Sequence, residues 1–336
     1  MSSQKIIRAA IIGCGGYGSQ HAQFLSTYPG AELRGVADIM LEHAEGFAKK
    51  YGASYATTDV ARILGDPEID AVWICTHHDT HAPLAEAAAA AGKNFFLEKP
   101  LALTLAECDR IVTAVEKAGV LASSGYKLRF FPAVIASKAF LTNPTLTFAQ
   151  VIDDHWPSSA WANDPIKGGG NVLSQGCHMI DTVLHLHPAP PVRVYAAGGN
   201  QHHPEVPIVD VASITITFAD GNVATVAVGD VGVPPYSSKF ALQQSDGSRS
   251  VSLFNRLNSL MTRENQEVTE HPAWPEDGAG VIDTAYIKAW VEGTSSPVSV
   301  QSARRTSAVA FAAIESIKTG QVVDLTAAPY AAAMIC

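Results

Sequence analysis

An α/β chain of two domains is predicted: a doubly wound parallel sheet first, then an α+β domain around one large open sheet, mixed but mainly antiparallel. Three observations predict it. The first part of the chain alternates short apolar runs with helix-length segments, the pattern of strands joined by crossover helices. The later part contains runs such as Val211–Phe218, in which apolar residues alternate with Ser and Thr. At 336 residues the chain also exceeds one comfortable core.

The elements follow in order. Residues 6–12 read as a buried strand, 17–27 as a helix, 32–38 as a second strand and 41–51 as a second helix. Strands at 71–75, 94–97 and 120–123 alternate with helices at 81–91 and 104–118. Asp66-Pro67-Glu68 and Ala91-Gly92-Lys93 punctuate them as turns. This places the first domain at 1–124 and the second at 125–336, whose last helices can pack back on the first. In the second, 130–141 and 171–186 read as helices, and strands dominate from Val192 to about Thr269. Ala219-Asp220-Gly221-Asn222 forms a hairpin turn before a strand at 223–228, and helices near 281–292 and 302–318 follow. The broad, half-polar open face of this sheet predicts burial against another subunit, in a homodimer or homotetramer.

Composition narrows the class. Apolar residues make up 47% and charged ones 16%, as in an ordered globular enzyme. A net charge of −9 excludes a nucleic-acid or anionic-membrane surface. No segment reads as a membrane span or a secretion signal. The five cysteines contain no C-x-x-C pair, which fits reduced thiols and a cytoplasmic location.

The sharpest motif is Gly13-Cys14-Gly15-Gly16-Tyr17-Gly18, between the first strand and the first helix. It is G-x-G-x-x-G in the strand–turn–helix context that sets a pyrophosphate on a helix N-terminus. Gly13 permits the turn, Gly15 lets backbone approach phosphate, and Gly18 lets helix and strand pack closely. Asp38 ends the second strand twenty residues past Gly18, where it can accept hydrogen bonds from ribose hydroxyls. The domain is thus a Rossmann dinucleotide-binding unit. Asp38 repels a 2′-phosphate, and Ile39-Met40-Leu41 offer no cation to receive one, so NAD is the expected cofactor. The bland alternative is an acid capping helix 41–51.

Two more loops lie at carboxyl ends of strands, where open α/β sheets bind ligands. One is Thr76-His77-His78-Asp79-Thr80-His81 and the other Glu98-Lys99-Pro100. Lys99 follows a buried strand and can donate to a substrate oxygen; pairing with Glu98 at the surface is the plainer reading. In the second domain Gly168-Gly169-Gly170 leads into Ser174, His178 and Asp181, the last two on one helix face. A His there can exchange a proton near neutral pH, though a lone helical His is commonly structural.

Together Gly13-x-Gly15-x-x-Gly18, Asp38, the loop ending at His81, Glu98-Lys99-Pro100, and the glycine run leading to Gly176-x-His178-x-x-Asp181 resemble the Gfo/Idh/MocA family of glucose-fructose oxidoreductase and inositol dehydrogenase relatives. Gly125–Phe130 resembles its domain-crossing segment and Thr319–Val323 its closing motif. The resemblance implies NAD-dependent oxidation of a ring hydroxyl of a sugar, sugar derivative or cyclitol, or the reverse. It implies Lys99 and His178 as catalytic residues, with Asp181 and Ser174 in support. The cofactor set is Gly13, Gly15, Gly16, Tyr17, Gly18, Asp38, Thr76, His81, Glu98 and Lys99. The substrate set is Lys99, Arg129, Trp156, Trp161, Asp181 and His178. The family usually carries Asp where this chain has Ser174; a hydroxyl can orient His178 but supplies no charge. Some relatives use NAD transiently to cleave glycosides, and a few bind it only as sensors. Two histidine sets, His77/His78/His81 and His178/Asp181/His185, invite a metal reading, but neither has a fourth ligand and no metal is expected. His202-His203 reads as solvated.

Overall fold

The computed structural model describes residues 5–232, 239–274 and 280–334. It divides into two compact units, one of residues 1–127 with 277–303, the other of 128–276 with 304–336.

In the first unit β1 (Ile7–Ile12), α1 (Gly16–Leu25), β2 (Ala31–Ala37), α2 (Leu41–Tyr51), β3 (Tyr55–Thr57), α3 (Val60–Gly65), β4 (Ala71–Ile74), α4 (His81–Ala90), β5 (Asn94–Leu97), α5 (Leu105–Ala118) and β6 (Ala122–Ser124) succeed one another. The sheet is parallel in the order β3-β2-β1-β4-β5-β6. The order reverses at β1, so the carboxyl ends of β1 and β4 open the crevice where such sheets bind ligands. The core strands are apolar on both sides, as a two-faced sheet requires. Helix α5 shows how locally its ends are specified. Thr104 accepts from the Glu107 N–H and donates to its carboxylate, and Gly119 closes the other end in the left-handed conformation. Sequence reading misses β3 and α3, each too short for its period to register.

The second unit begins with α6 (Pro132–Phe140) and β7 (Leu146–Asp154), continues with α7 (Cys177–Leu186), and then carries β8 (Pro191–Gly199), β9 (Val211–Phe218), β10 (Val223–Gly232), β11 (Phe240–Ser245), β12 (Arg249–Phe254), β13 (Ser259–Glu264) and β14 (Glu267–His271). Helix α8 (Gly280–Glu292) falls in the first unit. The chain then gives α9 (Val300–Thr319), β15 (Val323–Asp324) and α10 (Ala331–Met334). The described residues form one nine-stranded sheet in the order β14-β13-β12-β11-β7-β10-β9-β8-β15. All its pairs are antiparallel except β7 with β10.

Strand β7, central in this sheet, is absent from the sequence reading. Its inward positions include Thr147 and Asp153, while Leu146 and Phe148 point outward and are exposed, so the usual apolar-in pattern is blurred. The expected helix over 171–186 is also two pieces. A π-helical turn, Val172–Gly176, precedes α7. Such turns insert an extra residue and recur at functional sites.

Candidate active site

In the first unit the glycine loop is a cradle. Gly13 has φ +102°, and a Cβ there would sit 2.6 Å from the Cys75 carbonyl oxygen. A Cβ on Gly18 would lie 2.1 Å from the Gly13 oxygen, so helix and strand touch only through glycine. Gly15 and Gly16 differ: a Cβ on either would meet nothing within 4 Å. That open side lies at the N-terminus of α1, whose first amides have no acceptor within the helix. Asp38 receives the Cys14 N–H and the Met40 N–H, each at 3.0 Å. These use two of its roughly four lone-pair positions. Ile39, 94% exposed, follows it. A pyrophosphate at the loop and a ribose at Asp38 fit these groups.

Beside the cradle, β5 delivers Glu98 and Lys99 into a buried ionic cluster. His21, on α1, donates through Nε2 to Glu98 at 3.0 Å and through Nδ1 to Asp283 of α8 at 2.8 Å. The Trp73 indole N–H also donates to Asp283, at 2.9 Å. Burial alone would lower the basicity of His21, but Asp283 and then Glu98 outweigh it and push its pKa up to about 10. Burial would raise Glu98, yet the His21 bond and charge hold it below its ordinary value. The other Glu98 oxygen accepts the Lys99 backbone N–H at 3.1 Å. Lys99 is itself buried, its ammonium 5.4 Å from the centre of the Tyr17 ring on the first turn of α1. His21 and Asp283 are functional candidates that sequence reasoning missed; the cue was a His three residues past the last motif glycine.

His81 is fully buried, with its ring nitrogens 2.8 Å from the Pro100 carbonyl oxygen and 3.4 Å from that of Thr76. Burial lowers its pKa, keeping it neutral. Through these two contacts it ties the loop at Thr76 to the loop at Pro100. Thr76 itself accepts the Thr80 hydroxyl at 2.7 Å.

In the second unit the glycine run has a steric cause. A Cβ on Gly168 would come within 2.3 Å of the Ala162 oxygen, and Gly170, at φ +86°, has no room against Ile208. The run feeds the π turn that carries Ser174 and then α7 with His178, both buried. His178 meets the Phe240 ring edge-on, with centroids 5.8 Å apart.

Asp181 and Arg129, expected to touch substrate, are joined to one another. Arg129 donates twice to Asp181, at 2.7 and 2.5 Å, and the Thr306 hydroxyl adds a bond of 2.9 Å. Asp181 is buried and paired in charge with Arg129. Trp156 is half-buried and Trp161 exposed. His203 is not solvated; it is fully buried against Asp230 at 2.7 Å. His202 is exposed.

The cradle and its acid define a dinucleotide-binding oxidoreductase domain. Profiles bear this out: "Oxidoreductase family, NAD-binding Rossmann fold" matches residues 7–126, and "GFO/IDH/MocA C-terminal domain" matches 145–249. The chain belongs to the Gfo/Idh/MocA family, and its first domain binds NAD. Myo-inositol 2-dehydrogenase of Thermotoga maritima is 27% identical over 246 residues, 72% of this chain and 74% of that relative. The scyllo-inositol 2-dehydrogenase (NAD(+)) of Bacillus subtilis is 39% identical over 133 residues, 39% of each. A solved levoglucosan dehydrogenase in complex with NADH superposes with a TM-score of 0.86 at 22% identity, over 95% of this chain and 99% of that one. That likeness is one of fold. Among the described residues no helix is long and apolar enough to cross a membrane.

Proposed function

We propose that the chain is a cytoplasmic NAD-dependent dehydrogenase that oxidises a ring hydroxyl of a sugar, sugar derivative or cyclitol to a ketone, or runs the reverse reaction. One observation carries this reading: a buried lysine, held by a charged network, stands beside the dinucleotide cradle at the carboxyl end of β5. Lys99 polarises the reacting oxygen, and His178 takes and returns its proton. Bound NAD+ supplies the hydride acceptor. Asp38 favours NAD over NADP, because its carboxylate repels a 2′-phosphate and the exposed Ile39-Met40 supply no cation.

The test is an NAD+ reduction screen over inositols, aldoses, anhydrosugars and glycosides. Lys99→Ala and His178→Ala should each lower turnover by about 10²–10⁴-fold while NAD affinity stays near normal. Asp38→Ala should narrow the gap between NAD and NADP affinity. Near-full activity of His178→Ala would overturn its assigned role. Free reducing sugar from a glycoside, without net NADH, would favour transient oxidation instead. Tight NAD binding with no turnover on any substrate would favour a sensor.

We further propose a homodimer or homotetramer joined through the open face of the nine-stranded sheet. Phe148 and Tyr195 are exposed on outward positions of β7 and β8, amid Ser and Thr. Such a face is costly to leave in water. A monomer by light scattering at micromolar concentration would refute it.

A further inference from the structure

We propose that His155, His202 and Asp230 form a binding site for a divalent transition-metal ion. The three come from separate segments of the second unit: the end of β7, the loop after β8, and β10. No sequence spacing links them. Their candidate ligand atoms all lie within 4.8 Å of one another. His155 Nδ1 faces His202 Nε2 at 2.8 Å and the Asp230 carboxylate at 3.9 Å. Ligand atoms around tetrahedral zinc, with bonds of about 2.0–2.1 Å, stand roughly 3.3 Å apart. These two spacings lie on either side of that value. Two imidazoles and one carboxylate suit zinc, iron or cobalt and leave coordination positions open to water or a ligand oxygen.

The surroundings hold these side chains as a metal site requires. The alternation of β10 turns Asp230 to the buried side with Val226 and Val228. There its two oxygens are fixed separately. The Trp156 N–H donates to Oδ1 at 3.1 Å, and His203 Nε2 holds Oδ2 at 2.7 Å. His203 is bonded in turn to the Ser158 hydroxyl at 2.9 Å. Asp210 accepts the backbone N–H groups of Gln201, His202 and His203 at 2.7–2.8 Å, which sets the two histidines on a fixed turn. Outer partners of this kind orient ligands and raise metal affinity about 10–100-fold. His155 and His202 are exposed, so an ion has a route in, while Asp230 is buried and gains from a positive neighbour.

The experiment is calorimetric titration of the chelator-treated full chain with zinc chloride, paired with the visible spectrum of the cobalt(II) form. We expect about one equivalent of zinc per chain, bound at micromolar Kd or tighter at pH about 7.5 and far more weakly at about 5.5, because the imidazoles must be deprotonated. The cobalt spectrum should lack the sulfur-to-metal band that the cysteines would give. His155→Ala with His202→Ala should weaken binding by at least about 100-fold, and His203→Gln by about 10–100-fold. Both double-variant positions are exposed, so their removal spares the core. His43→Ala, at another exposed histidine, should bind as the parent does. No saturable zinc binding would overturn the proposal, as would equal affinity in the double variant.

Discussion

Each unit buries a carboxylate close in sequence to an expected catalytic residue, and the two are neutralised differently. Glu98, next to Lys99, is bonded to His21, which is also held by Asp283. Asp181, three residues past His178, is bonded to Arg129 and Thr306. A guanidinium stays charged at every accessible pH, whereas an imidazole is charged only while its partners keep it so. The second network is therefore a fixed brace, and the first is a brace that titrates. Each buried acid is bonded to groups of its own unit.

The largest effect comes from breaking the fixed brace. Arg129→Leu strands a carboxylate with only the Thr306 hydroxyl left as a partner, and removing one member of a buried pair typically costs about 3–5 kcal/mol. Denaturant unfolding should show that loss, with Arg129→Lys recovering only part of it, because an ammonium cannot copy a two-pronged bond. Asp181→Asn should cost a similar amount. A loss below about 1 kcal/mol in all three variants would mean that the pair is not a brace.

The titrating brace predicts a pH dependence that the other lacks. His21 has a folded-state pKa raised to about 10 from an ordinary 6.5. Its contribution is fully present below the unfolded value and drains away as pH climbs through the folded one. Glu98, held below its ordinary 4.5, contributes above that value and loses its share as pH falls through its lowered one. Melting temperature should thus decline between about pH 6.5 and 10 in the parent and be flatter over that window in His21→Gln. Arg129→Leu should lower the whole curve without flattening it. Identical slopes in parent and His21→Gln would remove the charge assigned to His21.

The contrast also explains what could be read from the sequence. The cradle was legible because Gly13, Gly15, Gly18 and Asp38 are close in the chain and each glycine answers a local backbone demand. The place of Lys99 just past a strand and that of His178 on a helix were also readable from the local pattern. Hidden were the partners that come from afar. Asp283 lies 262 residues from His21, and Thr306 lies 125 from Asp181. Nothing local marks either. The family resemblance places Arg129 and Asp181 in the substrate set, and that pattern gives no sign of the bond between them. The same blindness covers His203, whose burial depends on Asp230.

The smallest expected effect is at Ser174, and it decides how the second unit orients its histidine. Ser174 stands four residues before His178, where the family resemblance leads to the expectation of Asp, and the π turn Val172–Gly176 carries it. A carboxylate would both orient the imidazole and stabilise its protonated form, while a hydroxyl can only orient it. If His178 works without a charged partner, Ser174→Ala should lower kcat by about tenfold or less, well short of the 10²–10⁴-fold expected of His178→Ala. Ser174→Asp would then install the missing charge and move the kinetic pKa of the proton-transfer step upward, read from kcat against pH. A Ser174→Ala loss as large as that of His178→Ala would instead place the serine in the catalytic set, with orientation, not charge, as the part of the dyad that this chain has kept.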